Sequence, residues 1–469
     1  MGLRILGVKD NESVDYPLFL LRSTFFCRNG CNPTLKHIPD SVVFQTFSKS
    51  SNNILLKALL PLCDGRNNIC IFCPHQSFDF TLDKLPMNES RPYVRPIYVT
   101  FNGHDGSFQA PSNVSSNPDS ACRRLGLAVR ILQSATAEII LAETGYRRSF
   151  ACAGDFRTPS KIPPRVSASP VSAAVWCIQS KLSFEEAQRM SVISLWETLA
   201  RELHNVFSED RGQAKWLAVV SCTEFKALAT TETTPLSHEA IISRTVAYCA
   251  LGAGGLALFG SGNLYTWPES IVDLEIHLSD LRKVNRRQFL DDSAYRGTYW
   301  ANYTTALGTM LHELGHCFDL DHSPEGIMRR GGDDLNLIIS FPPPGVSSDF
   351  RKVNGIIHAP LGIHLIQVRM AEKTCSPFCA ELWNSKRRAN TPELPTDITM
   401  MRGCIVWHRS FKETPKTFHI AKVLQSISSQ LRGAAFKVVV LDLGGFTSQM
   451  TFSDGDRGVR SHPPYQNAI

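Results

Sequence analysis

The chain lacks a positively charged leader followed by an apolar core, which argues against secretion and leads us to expect an intracellular, cytoplasmic protein. No apolar run reaches the roughly 20 residues of a membrane-spanning helix; the longest, 247–260, is short and glycine-rich. Leu6 stands where a myristoylation signal needs Ser or Thr. Basic residues cluster at Arg282, Lys283, Arg286 and Arg287 and again at Lys386, Arg387 and Arg388, but no aromatic residues interleave them. With a net charge of only +6, they read as solvated faces, and no nucleic-acid partner is expected. Fourteen cysteines are scattered without a disulfide framework, as free thiols in a reducing compartment would be. The sequons at Asn88, Asn113 and Asn302 then carry no weight. What is present, 43% hydrophobic and 20% charged residues in 469, describes a soluble globular protein of about three domains. The sequence carries no signal for an oligomeric state.

Residues 1–115 read as β-rich, with short β-branched and aromatic runs at 17–26, 42–47, 54–62 and 93–101 separated by Gly, Asn, Asp and Pro. A β-sandwich is the expected outcome. Cys27, Cys31, Cys70 and Cys73, with His75 nearby, either hold a second zinc or are buried thiols. A second unit is expected over 116–345. It opens with helical periodicity through Leu125, Val129, Leu132, Ala135 and Ile139, and crosses a Pro/Ser-rich loop at 159–174. An amphipathic helix is expected over 182–207, a fully buried strand at 216–222 and a further helix at 268–283. His204 and His277 fall on these other helices and read as surface or core residues. The remainder, 346–469, reads as a β-containing extension with strands at 363–368 and 436–441.

The chemistry concentrates in residues 311–330, LHELGHCFDLDHSPEGIMRR. On a helix, His312 and His316 stand one turn apart on one face, so two imidazoles can share a tetrahedral metal. Glu313 follows the first ligand, the position of a general base that activates water at the metal. A continuing helix would carry His322 roughly 9 Å further along the axis, so the helix must stop after His316 and fold back. Asp319 is a residue type that tolerates the required positive φ. This helix is expected over 298–318, with Trp300, Tyr303, Leu307, Met310, Leu311, Leu314 and Phe318 as its core stripe.

This stretch resembles the metzincin zinc peptidases, H-E-x-x-H-x-x-G-x-x-H with a downstream methionine turn. Asp319 replaces the glycine, and 326–328 looks like the turn, with Met328 flooring the metal. Segments 57–69, 133–138, 145–150, 256–268 and 326–334 are also similar to a family of zinc peptidases of fungi and animals. That family joins an N-terminal β-domain to a metzincin-like core. The resemblance implies an α+β fold with a mixed sheet and an active-site helix, preceded by a β-sandwich-like domain. It implies one Zn2+ per chain on His312, His316 and His322, Glu313 as general base, and a peptide or protein substrate. It also implies a sheet strand that holds the substrate, a role given to Leu256, Ala257, Leu258 and Phe259, with an interior position in the same sheet as the alternative. Arg329 stands where some metzincins carry a tyrosine, so no such residue is assigned. Arg147 and Arg148 read as a cation pair at a helix C-terminus. The rival to a zinc endopeptidase is a scaffold whose β-domain binds a partner around a structural zinc; Glu313, for which a structural site has no use, argues against it.

Overall fold

The computed structural model describes residues 4–5, 8–26, 33–38, 44–50, 53–73, 76–87, 93–144, 147–156, 161–210, 214–234, 237–318, 320, 327–328, 335–343, 346, 351–353, 356–358, 397–401, 404–408, 436–441 and 447–452. It is a mixed α/β protein with several sheets.

The N-terminal residues form two four-stranded sheets. One is built on the antiparallel pair Leu18–Phe26 and Asn53–Pro61, the other on Gly65–Cys73 and Gln76–Lys84. Alternation along the strands assigns the two faces of the first sheet. Phe19, Leu21, Ala58 and Leu60 share one apolar cluster with Ile69, Ile71, Phe80 and Leu82 of the second sheet. Leu18, Leu20 and Leu59 point the other way, into a cluster with Leu125, Val129 and Leu132 of helix Pro118–Thr144. That helix carries the expected apolar stripe and is buried on nearly every side, so its second face needs a second partner.

The partner is a six-stranded sheet. Strand Tyr93–Asn102, which composition groups with the N-terminal residues, pairs in parallel with Ala214–Val220, and the latter with Leu256–Gly260. Ala250–Ala253 adds antiparallel at the end. Val94, Tyr98, Leu217, Val219, Ala257 and Phe259 face the long helix and helix Tyr299–Cys317. Ile97, Val99, Ala218, Val220, Leu256 and Leu258 face Leu195, Leu199 and Leu203 on the opposite side. The layers therefore run sheet, sheet, helices, mixed sheet, helices.

Several expectations are corrected. Leu256, Ala257, Leu258 and Phe259 are hydrogen-bonded on both flanks, so they are interior and not the substrate-holding edge. The strand at the end of the sheet is Ala250–Ala253. The amphipathic run at 182–207 is two helices, Phe184–Arg189 and Val192–Val206, because Ser183 and Ser191 each cap a new N-terminus with their side chains. At 268–283 the helical part is shorter, a 3₁₀ turn Ile271–Asp273 leading into Leu274–Ser279. Arg147 is no helix-end cation: it is buried and paired with Glu138 (2.6 Å) and Glu12 (2.8 Å). Beyond the mixed sheet, the expected strand at 436–441 is present as Phe436–Leu441 in a four-stranded sheet, while 363–368 lies outside the described residues. No described helix is long and apolar enough to cross a membrane.

Candidate metal centre

Helix Tyr299–Cys317 delivers the motif. Its apolar stripe is buried throughout, which fixes its rotation, and it ends one residue after His316, with the Phe318 amide bonding back to the Leu314 and Gly315 carbonyls. The Leu320 amide also bonds back to Gly315, 3.0 Å away. The helix thus stops just after His316, at Cys317.

His312 is buried and His316 half-buried, their rings 4.8 Å apart with planes at 88°. His312 Nδ1 is 2.8 Å from the Ile327 carbonyl and His316 Nδ1 is 2.7 Å from the Leu320 carbonyl. A carbonyl accepts only, so each Nδ1 carries a proton, and in the neutral ring the lone pair is then on Nε2. That tautomer is the one a metal ligand needs, fixed by the kind of outer bond that orients ligating histidines. The donor chemistry of both rings therefore fits a zinc ion. Among the described residues no three His, Cys, Asp or Glu side chains gather around a metal position. His322, the third expected ligand, lies outside them, as do Asp319, Arg329, Asp333, Asp334, Cys27, Cys31, His75 and the side chain of Cys73.

Glu313 is half-buried, and its carboxylate accepts a 2.7 Å bond from the amide of Gly252, in the terminal strand Ala250–Ala253. Among the described residues no Lys or Arg pairs with it. Burial pushes its pKa above the ordinary carboxylate range, opposed by the Gly252 amide and by His316. Two glycines make this geometry. A Cβ at Gly252 would fall 1.9 Å from the Glu313 carbonyl oxygen, so strand and helix meet this closely only with glycine there. A Cβ at Gly315 would fall 2.4 Å from Met328 Sδ, which places the expected methionine directly beneath the histidine helix. Sequence reading named neither glycine; a glycine inside a strand-like run was the available signal for the first.

A further support comes from the N-terminal sheets. Lys57, 8% exposed, donates to the carbonyls of Leu337 and Ser340 (2.8 Å to the latter) and lies 4.6 Å above the Phe341 ring. It thereby caps helix Asn336–Ile339, which follows Met328 in the chain. Burial, with a smaller contribution from Arg22, lowers its pKa to about 7.

A family model described as "Putative peptidase family" matches residues 2–348. The chain belongs to that family. It is 24% identical over 348 residues to a protein of Saccharomyces cerevisiae named a putative zinc metalloproteinase, covering 71% of this chain and 48% of that one. A Schizosaccharomyces pombe protein of the same description is 23% identical over 312 residues, covering 65% and 47%. The chain thus spans about half the length of these curated relatives. Among solved structures, domains 4 and 5 of the S-layer protein SbsC match 18% of this chain and 51% of theirs at 11% identity. The TM-score of 0.15 carries no argument about the fold.

Proposed function

We propose that this member of the peptidase family is a zinc-dependent endopeptidase with a metzincin-like core. The observation that carries the reading is Glu313: a half-buried carboxylate without a described cationic partner, held by a strand amide between two histidines in the ligand tautomer. His312, His316 and His322 would hold one zinc, with Met328 as the methionine turn below. When bound, zinc supplies Lewis-acid chemistry, polarising the scissile carbonyl and making nearby water acidic.

The chain's own residues do the rest. Glu313 takes the proton of the attacking water and passes it to the leaving amine. Its raised proton affinity helps it hold that proton between the two steps. The Gly252 amide keeps the carboxylate in one orientation throughout. Ala250–Ala253, the strand at the end of the sheet beside this glutamate, offers its outer backbone groups to an extended peptide substrate.

The test is Glu313→Gln. Zinc content and fold should match wild type, at about one metal per chain, whereas His312→Ala should lose the metal. Chelator-sensitive hydrolysis of an unfolded protein should fall by a factor on the order of 10² or more. Equal rates in wild type and Glu313→Gln would remove the general base and leave any bound zinc a structural role.

A further inference from the structure

Two free cysteines meet between helix Pro118–Thr144 and strand Trp176–Ser183: Cys122 on the helix and Cys177 on the strand. Alternation puts Trp176 in the apolar cluster on one side of the sheet, and Val175 and Cys177 in the cluster on the other side, with Cys122.

The helix is pinned to this segment at two points. At the first, the Ala173 amide donates to the Gly126 carbonyl at 2.9 Å. A Cβ at Gly126 would fall 2.8 Å from the Ala173 carbonyl oxygen, so only glycine lets the backbones approach this closely. At the second, the Arg165 amide donates to the Val175 carbonyl at 2.7 Å, and the Arg165 guanidinium donates to Asp119 at 2.6 Å. Moving toward the helix N-terminus therefore means moving forward along the strand. Cys122 lies between the pins, about one helical turn from each. Its Cα–Cβ bond leans toward the helix N-terminus, and so toward Cys177.

The two thiols are not equivalent. Cys122 is fully buried and donates a hydrogen bond to Cys177, which is half-buried. That bond, aided by the Arg165 guanidinium, lowers the Cys177 pKa against the opposing effect of burial. The same bond, together with burial, raises the pKa of Cys122. Burial likewise raises those of Cys152, Cys222 and Cys249. The Arg165–Asp119 pair at this end is half-exposed, which opens the site to a small reagent. A partly exposed sulfur beside a cation is the setting of a reactive thiol, and a proton-bearing second thiol in contact with it is the setting of a resolving one.

We propose that Cys122 and Cys177 are a hydroperoxide-oxidised pair that closes into a reversible disulfide. The Cys177 thiolate attacks the distal oxygen of the hydroperoxide. The O–O bond breaks, an alcohol or water leaves with the proton that Cys177 gave up, and the sulfur becomes a sulfenic acid. Cys122 then attacks that sulfur; the S–S bond forms, the S–OH bond breaks, and hydroxide leaves as water with the Cys122 proton. Two thiols and one hydroperoxide thus give one disulfide, one alcohol (or water) and one water. In a reducing compartment such a bond is transient and signals oxidation. It would staple the helix to the mixed sheet, and it does not depend on the peptidase reading.

The test titrates the reduced full chain stepwise with hydrogen peroxide, blocks remaining thiols with iodoacetamide, and sequences unreduced digests by mass spectrometry. A linked Cys122–Cys177 peptide should dominate while the exposed Cys63 is still alkylated, and dithiothreitol should abolish it. The oxidised chain should melt at a higher temperature than the reduced one. With dimedone present, Cys122→Ser should be labelled at Cys177, whereas Cys177→Ser should be labelled at Cys122 about 10-fold less or weaker still. Oxidation of Cys63 while Cys122 and Cys177 both remain alkylated overturns the proposal, as does a Cys177 sulfenic or sulfinic acid in wild type without the bridge. Equal labelling in the two variants overturns the assignment of Cys177 as the attacking sulfur. The wild-type digest decides on the bridge even where a serine variant fails to fold.

Discussion

Helix Pro118–Thr144 buries Arg124, Arg130 and Glu138; helix Tyr299–Cys317 buries His312 and half-buries Glu313 and His316. Both pass through the same apolar cluster, yet they treat their polar side chains differently. In the first helix every one of these charges meets an opposite charge. Arg124 pairs with Glu269 (3.1 Å), Arg130 with Asp155, and Glu138 with Arg22 (2.8 Å) and Arg147 (2.6 Å). In the second, His312, His316 and Glu313 bond to backbone groups: the Ile327 and Leu320 carbonyls and the Gly252 amide. Paired charges hold layers together. In the motif helix the side chains are oriented by backbone groups.

The comparison can be broken at either helix. Glu138→Ala should have the largest effect, leaving Arg22 and Arg147 facing an empty position in the interior. Denaturant unfolding should show a loss of about 3–5 kcal/mol, while per-molecule turnover of the folded fraction stays near wild type. A large loss of turnover at unchanged stability would erase the distinction between the helices.

Gly252→Ala should show the opposite pattern. The new methyl meets the Glu313 backbone, so strand and helix must separate and the amide must leave the carboxylate. Turnover should fall on the order of 10²-fold, with zinc still bound, as stopped assays and metal analysis would report. Wild-type rates would mean that the amide has no part in orienting Glu313 for the proposed reaction.

The smallest effect sharpens the picture away from the centre. Lys57 titrates near 7 in the folded chain and near 10.5 unfolded, so between these values the unfolded state binds more protons and stability rises with pH. Thermal scans from pH 7 to 9 should show this rise in wild type, relative to Lys57→Met, in which the contribution is absent. Parallel curves would mean that Lys57 keeps its proton in the fold.

The reach of the sequence follows the range of the interactions. The helix around His312 was readable because its stripe and its ending are local properties, and the strand at 216–222 because burial on both faces writes a continuous apolar run. Strand order is not local: nothing in Leu256–Gly260 distinguishes an interior strand from an edge, since that depends on whether Ala250–Ala253 folds back beside it. The reason for Gly252 lies in a carbonyl 61 residues away. Arg147 looked like a helix-end cation because its partner Glu12 lies 135 residues earlier. The break at Ser191 was local and legible, but the apolar period ran through it and masked the cap.

The bond from Lys57 to the carbonyls of Leu337 and Ser340 spans 280 and 283 residues, which sets a schedule for biosynthesis. At roughly 5–20 residues per second, a ribosome needs on the order of tens of seconds to deliver the second partner after the first. For that interval the lysine stays hydrated and charged, whereas the helix that covers Leu18, Leu20 and Leu59 is made early in it. Docking of Lys57 therefore comes after nearly all of the motif has been made. The nascent chain cannot complete this support until the stretch carrying Glu313 has left the ribosome.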